Sequence, residues 1–424
     1  MLNLRAQAAF LPVAMSFAET SAVALGLCEP EALGLRLATE EIFSYLCHRA
    51  APDREVRIHC TSGGYYVAEE FVFQAADFNM RAFNLTASAG LGEEAAWEET
   101  GLLIASRMVD RFKFAESDEG LRLRLIKERV YPTASQLQIP PARPLQEYVV
   151  RNADPEELKV FVRMVAEHHD PHLVPKDFGY PGKVTDMVAC GEYRVLVVAD
   201  RAGHIGGGLV WRREDTRLVE CFGPYLFNQP LGSAMAKALL DECIGAIARS
   251  HVVGLINRAP TPEFPVEYFE RLGSLMICEA DGTPLELEAY YRQLEEDLGS
   301  TVWTHPALES FLSAEYRRLV FPREIRPVTG EGETEWPNSV ISADVDRGQR
   351  RVTLRPVWQG RDCEEVVAAH AELLTAEGIP CIFFEVDLGK PWHAHFVPAL
   401  FKSGFQPRLL LPWGGKGDLV VFQR

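Results

Sequence analysis

Gln229-Pro-Leu-Gly-Ser-Ala234 is the stretch whose residue types could hold an anion. It follows the apolar run 218–227 and opens Met235-Ala-Lys-Ala-Leu-Leu-Asp-Glu-Cys-Ile-Gly-Ala-Ile-Ala248, where apolar residues repeat at helical spacing. A strand, a turn of small residues and a helix start leave the first N–H groups of the helix without intrahelical partners. The helix dipole adds positive potential at the same end. Gly232 and Ala234 carry too little side chain to keep a pyrophosphate off that backbone. An ordinary helix start has the same ingredients, so the flanking elements must decide.

Upstream, 147–154 reads as a strand and 155–168 as an amphipathic helix. Two apolar strands, 193–200 and 205–212, flank the turn Arg201-Ala-Gly-His204. Downstream come the buried-type strand Val252-Val-Gly-Leu-Ile-Asn257 and Glu267-Tyr-Phe-Glu-Arg-Leu-Gly273, read as a closing helix. With this order around it, the stretch resembles the acyl-CoA pyrophosphate loop of the GNAT N-acetyltransferase superfamily, Gln/Arg-x-x-Gly-x-Gly/Ala. Gln229, Gly232 and Ala234 fill its three defined places, and the likeness covers about 145–290. It implies a mixed-sheet unit, acetyl-CoA or another acyl-CoA as donor, and Ser233 beside the phosphates. Backbone around Phe222–Phe227 would meet the pantetheine and thioester.

Acyl transfer to an amine needs a base for the ammonium proton and a donor where charge develops on the thioester oxygen. Glu220, in the strand before the loop, is the base candidate; the alternative is an outward-facing strand carboxylate. The family's acid, a Tyr four residues before the Gly of the closing helix, would fall at Phe269 here. Tyr268 is one place off, a rotation of roughly 100° on a helix. Tyr225, near the loop, is the further acid candidate.

The rest of the 424-residue chain must position that loop or govern it. Net charge is −17, from 60 acidic and 43 basic residues, which argues against a nucleic-acid binder or an anionic membrane surface. No run of about 18 apolar residues offers a membrane span, and the N-terminus lacks a signal-peptide plan. Nine scattered cysteines without Cys-x-x-Cys fit a reducing cytoplasm rather than a disulfide framework or zinc site.

Residues 1–130 form a first unit, closed by a linker over 131–144 with Pro132, Pro140, Pro141 and Pro144. Its helices are expected at 17–27, 31–49 and 100–112, and its strands at 55–60, 65–70, 71–77 and 121–128. Leu37-Ala-Thr-Glu-Glu41-Ile-Phe-Ser-Tyr45, Asp77-Phe-Asn-Met-Arg-Ala-Phe83 and Gly101-Leu-Leu-Ile-Ala-Ser-Arg-Met-Val-Asp110 resemble successive motifs of the anti-sigma-factor serine kinases, relatives of the histidine-kinase ATPase domain. The resemblance assigns Glu41 as general base, Asp77 to the adenine amino group and Gly101 to the nucleotide site. Tyr45 stands where the family's Mg²⁺-binding Asn should be, Asn79 replaces a Gly, and the glycine-rich lid is thinned to Ala89-Gly-Leu-Gly92. Phosphoryl transfer needs that metal clamp. The expectation is a degenerate, partner-binding module with ATP and Mg²⁺ binding doubtful; Glu41 also reads as a plain helix-face carboxylate.

Residues 296–424 echo 145–295: a hairpin across Asp346-Arg-Gly-Gln349, a helix over 363–377 stopped by Gly378, a strand over 379–386 and a last strand over 418–423. Its helix-entry loop, Gln359-Gly-Arg-Asp-Cys363, lacks the small residues, and Asp362 would oppose a phosphate. His168-His-Asp-Pro-His172 reads as a helix end, not a metal set, because Pro171 breaks the spacing, and His393 and His395 read as surface residues. Gly206-Gly-Gly208 lies in a strand and marks close backbone approach or a bulge. The expected whole is an α+β protein: a histidine-kinase-ATPase-like α/β sandwich, then two GNAT-like mixed-sheet units. The expected function is acyl-CoA-dependent N-acetyltransfer under an N-terminal regulatory domain. The alternatives are a non-catalytic anti-sigma-type regulator binding a protein partner, and an ATP-dependent serine kinase.

Overall fold

A computed structural model describes residues 1–49, 54–74, 78–87, 94–133, 139–213, 217–230, 232–248, 250–279, 281–328 and 336–424. The chain divides into two compact units. One is Met1–Val130 with Glu333–Ala343 and Arg355–Leu373; the other is Tyr131–Gly332 with Asp344–Leu354 and Leu374–Arg424.

In the first unit, β1 (Leu2–Arg5) leads into α1 (Leu11–Ala24) and α2 (Glu29–Arg49). Then come β2 (Glu55–Ser62), β3 (Tyr66–Phe73), α3 (Glu94–Met108), β4 (Arg111–Ser117) and β5 (Gly120–Glu128). The sheet order is β1-β2-β3-β5-β4, with every neighbouring pair antiparallel. Ala14, Ala18 and Ala22 are fully buried on α1. One core joins Leu35, Ile42 and Leu46 of α2 to Val67, Phe71, Leu123 and Leu125 of the sheet. Each such side chain contributes about 1.5–3 kcal/mol on burial. Two expectations are corrected. One strand, β3, runs through the break expected between 70 and 71, because no turn residue interrupts Glu69-Glu70-Phe71; residues 75–77 lie outside the described residues. The helix expected to reach 112 stops at Met108, and the alternating Arg111-Phe-Lys-Phe114 begins β4.

The second unit opens on β6 (Val149–Asn152), α4 (Pro155–His168), α5 (Pro181–Ala189), β7 (Tyr193–Ala199), β8 (Ile205–Arg213) and β9 (Leu218–Leu226). It goes on through α6 (Ala234–Ile247), β10 (Gly254–Asn257), β11 (Glu270–Cys278) and β12 (Pro284–Gln293). Asp154 caps α4 and Glu157 completes the capping box, which fixes where β6 ends. Seven strands run β11-β12-β10-β9-β8-β7-β6. β9 and β10 are parallel, joined by α6, while the other neighbouring pairs are antiparallel. Met235, Leu239, Leu240 and Cys243 of α6 pack on Leu209, Trp211, Val219 and Cys221. The triple glycine lies in β8 as expected. A Cβ at Gly208 would meet the Leu196 carbonyl at 2.6 Å and the Phe161 ring of α4 at the same distance.

The closing helix expected at 267–273 is absent. The chain makes one short 3₁₀ turn at Val266–Tyr268 instead, and 270–278 is strand, paired with β12.

After β12, β13 (Ser300–Thr304), α7 (Glu309–Leu319) and β14 (Arg323–Pro327) form a parallel pair with its crossover helix. The last sheet uses β15 (Val340–Asp346), β16 (Arg351–Trp358), β17 (Cys381–Asp387), β18 (Gln406–Leu411) and β19 (Leu419–Gln423). Its helices are α8 (Cys363–Ala376) and α9 (Val397–Lys402). The order β15-β16-β17-β19-β18 repeats β8-β9-β10-β12-β11: a parallel pair joined by a helix, then a hairpin whose second strand lies inside. A real helix, α9, stands here where its counterpart is missing from the earlier sheet.

Candidate functional site

β9 and β10 pair only from Leu218↔Gly254 to Glu220↔Ile256, so β9 runs on alone on that edge to Leu226. On its other edge the register with β8 slips between Val210↔Phe222 and Gly208↔Tyr225, which leaves one extra residue on β9. Gly223 sits in this bulge at φ +90, a conformation that favours glycine. Two side chains, one from the last residue of β10 and one from the loop after it, hold the bulged strand. Asn257 Nδ2 donates to the Gly223 carbonyl at 2.8 Å, and Thr261 Oγ1 donates to the Pro224 carbonyl at 2.7 Å. Both residues are buried. Sequence reasoning missed them; the only hint was their position directly after an apolar run and within a proline-rich segment.

The strand then enters the loop over 229–234. Gln229 is tied to the segment before β6: its Nε2 donates to the Arg143 and Phe227 carbonyls, and its Oε1 accepts from the Leu145 N–H. Its side chain therefore sets the loop's path. Gly232 has φ +73, and a Cβ there would meet no atom within 4 Å. Ser233 precedes α6 without a side-chain cap, no acid lies in the first turn, and Ser233 Oγ is buried without a hydrogen-bond partner. Ala234 begins the helix. The loop is open at Gly232, and the helix start is uncapped with no acidic residue in its first turn.

The catalytic candidates have different surroundings. Glu220 lies in a cross-sheet row with Tyr193 and Arg212. Arg212 donates to it through Nε at 3.0 Å and Nη2 at 2.7 Å, Arg258 donates through Nε and Nη2, and Arg258 also reaches Glu385 at 3.5 Å. Burial would raise this carboxyl, but the charges of Arg258 and Arg212 and the bonds they donate bring it down to about 2. A carboxylate so stabilised is an ion-pair anchor and a weak base, contrary to the role expected for it. Tyr225 is fully buried and donates to the Leu173 carbonyl at 2.7 Å; burial pushes its phenol well above its ordinary value. It cannot readily give a proton to a leaving thiolate. Tyr268 is exposed on the 3₁₀ turn beside the Lys237 ammonium. Phe222 packs edge-on against Tyr193 with the Arg212 guanidinium over it, and Phe227 is buried against Phe161.

Another pair lines the bulged strand. α4 ends at His168, as the sequence implied, and His169 is its C-cap. The His169 ring lies 5.0 Å from Tyr225 and 6.0 Å from Phe227, and its Nε2 is buried with no partner. Glu263, two residues past Thr261, likewise has a buried, unpartnered Oε2.

In the first unit, Asp77 and the lid residues 89–92 lie outside the described residues. Glu41 lies against Gly101, where a Cβ would collide with its Oε2. Burial and then Glu40 raise its carboxyl. Tyr45 is buried, its ring 5.3 Å from Phe78 and its hydroxyl accepting the Asn79 N–H at 3.0 Å. Asn84 clamps β15 by donating to the Ser339 carbonyl and accepting the Ile341 N–H, and Trp336, Val340 and Trp358 join the core. The His393 side chain, expected at the surface, is buried, with Nδ1 accepting the Asp387 N–H. Among the described residues, no helix is long and apolar enough to cross a membrane.

No protein-family model matches the chain, and no curated protein matches it. Solved structures similar to part of it are GNAT acetyltransferases. A phosphinothricin acetyltransferase from Sinorhizobium meliloti, in complex with AcCoA, is 18% identical over 35% of this chain and 89% of its own, with TM-score 0.29. A GNAT-family acetyltransferase from Staphylococcus aureus Mu50 is 14% identical over 35% of this chain and 100% of its own, with TM-score 0.26. A spermidine N-acetyltransferase chimera with a Vibrio cholerae parent is 11% identical over 35% and 95%, with TM-score 0.28.

Proposed function

We propose that residues 149–293 bind an acyl-CoA, acetyl-CoA in the simplest case, and transfer its acyl group to an amine. One observation carries this: a bulged, splayed β9 runs into an open glycine turn at the uncapped start of α6. Gly232, Ser233 and Ala234 would hold the pyrophosphate by backbone N–H groups. Phe222–Phe227 would border the pantetheine and thioester. Calorimetric titration of the whole chain with acetyl-CoA tests it. At about 100 times its Kd the ligand should add about 2.7 kcal/mol of stability. A chain with no heat of binding and no thermal shift would lack the donor site.

A second reading, an acyl-CoA sensor without transfer, is favoured by Asn257 and Thr261, which already occupy the carbonyls of Gly223 and Pro224. The first unit fits the role of a regulatory, protein-binding module better than that of a kinase. Tyr45, in place of the metal-binding Asn, spends its hydroxyl on the Asn79 backbone. Mg-ATP is accordingly expected to stabilise the chain weakly or not at all. Phosphoserine formed on a cognate partner, and lost in Glu41→Gln, would restore the kinase assignment.

A further inference from the structure

With Glu220 neutralised by two arginines and Tyr225 bonded to a carbonyl, the acceptor's proton needs another destination. Only a group beside 224–227 of β9 can serve, because that is where the acyl carbon would lie. His169 meets this condition from the α4 side, with its ring against Tyr225 and Phe227. Glu263 lies two residues past Thr261, which is bonded to the Pro224 carbonyl, and its charge acts on His169. His169 Nε2 and Glu263 Oε2 are each buried without a partner, and an orphaned buried polar atom is costly unless something completes it. An ammonium is the kind of group that completes either: it donates to a carboxylate oxygen and to an imidazole nitrogen.

We propose that His169 and Glu263 form the acceptor site, in which the Glu263 carboxylate receives a primary ammonium and His169 Nε2 takes its proton. This rests on the acyl-CoA reading above. The freed lone pair forms the C–N bond to the acyl carbon as the C–S bond breaks. The second N–H proton goes to the departing thiolate, and the first passes from His169 to solvent. The products are the amide, the thiol and one proton. His169 is suited to accept: burial lowers it from its ordinary value and His168 reinforces that shift, while Glu263 and the Leu226 backbone oppose it.

The test uses the full chain with acetyl-CoA and a panel of propylamine, spermidine and lysine, following thiol release. The expected result is turnover of at least one amine. His169→Gln should lower kcat/KM by about 100-fold with the acetyl-CoA Kd unchanged, and should remove the acid limb of the pH profile. Glu263→Gln should raise the amine KM about 10-fold and leave that Kd alone. A readout apart from turnover is the His169 imidazole titration by NMR. It should move to lower pH in Glu263→Gln, and also when propylammonium binds the wild type. Retention of kcat/KM within threefold in His169→Gln overturns the proposal. So does a wild type that binds acetyl-CoA, acetylates none of the amines and shows no response of His169 to propylammonium. Failure to bind acetyl-CoA is a different outcome: it removes the donor site itself, and the acceptor site with it.

Discussion

The helix-entry loops of α6 and α8 occupy the same place in two copies of one topology, and they have opposite interiors. Before α6, Gly232 faces open space, Ser233 leaves the helix uncapped, and no acidic residue stands in the first turn. Before α8, the Asp362 carboxylate accepts the Ser339 N–H at 2.5 Å, Ser339 Oγ accepts the Gly360 N–H at 2.9 Å, and Ser339 Oγ meets Cys363 Sγ at 3.1 Å. A Cβ at Gly360 would run into the Asn338 carbonyl carbon. Glycine thus serves two purposes in one fold. Gly232 leaves room for something from outside, whereas Gly360 makes room for the chain itself. Topology preserves a helix N-terminus; only the loop's side chains and neighbours decide whether an anion can reach it.

The largest effect is expected at Glu220, in the lobe with the open loop. Removing one partner of a buried ion pair strands the others, so Glu220→Gln should cost about 3–5 kcal/mol in chemical denaturation. The pH dependence has a definite sign. The folded carboxyl titrates near 2 and its ordinary value is 4.5, so the stability it confers is full above about pH 4.5 and is lost as pH falls toward 2. The variant should lack that acid limb. A variant of unchanged stability that had lost only turnover would return Glu220 to the role of base.

Next comes Gly232→Asp, which gives the open loop the feature of the closed one. The added carboxylate sits where a pyrophosphate would, and affinity for acetyl-CoA should fall by at least about 100-fold, or about 2.7 kcal/mol. The fold should survive with a small loss of stability, because no atom lies within 4 Å of the new Cβ and only the strain of a positive φ remains. Equal affinity in wild type and variant would make the loop a plain helix start.

The sequence revealed the repeat because its markers are local. Gly378 ends α8 at φ +72, and each copy places an apolar strand after its helix. It revealed the loop for the same reason: Gly232 and Ala234 are small whatever surrounds them. Interactions assembled from distant residues stayed hidden. Nothing in Val219-Glu-Cys221 shows that Arg258, 38 residues later, will bond to Glu220 and spend the expected base. Nor does Tyr225 show that its hydroxyl will reach back to Leu173. The pattern Phe269-x-x-x-Gly273 suggests a closing helix, whereas the segment pairs with β12, a partner that lies further along the chain. His169 read correctly as a helix end, yet its ring contacts depend on where β9 bulges.

The smallest effect sharpens the comparison by making one substitution in both loops. Gly360→Ala places a methyl against backbone atoms of Asn338 and Ser339, which cannot yield as a flexible side chain would. Overpacking of this kind costs about 1–3 kcal/mol. Gly232→Ala meets no atom and has only the strain of a positive φ to bear, about 1 kcal/mol. Urea denaturation of the two variants in the absence of ligand should therefore rank Gly360→Ala as the less stable. Acetyl-CoA affinity should rank them the other way, because only the methyl at 232 projects toward the donor. If both variants lost the same stability and neither lost affinity, the two loops would be physically equivalent, and the open space at Gly232 would have no ligand to explain it.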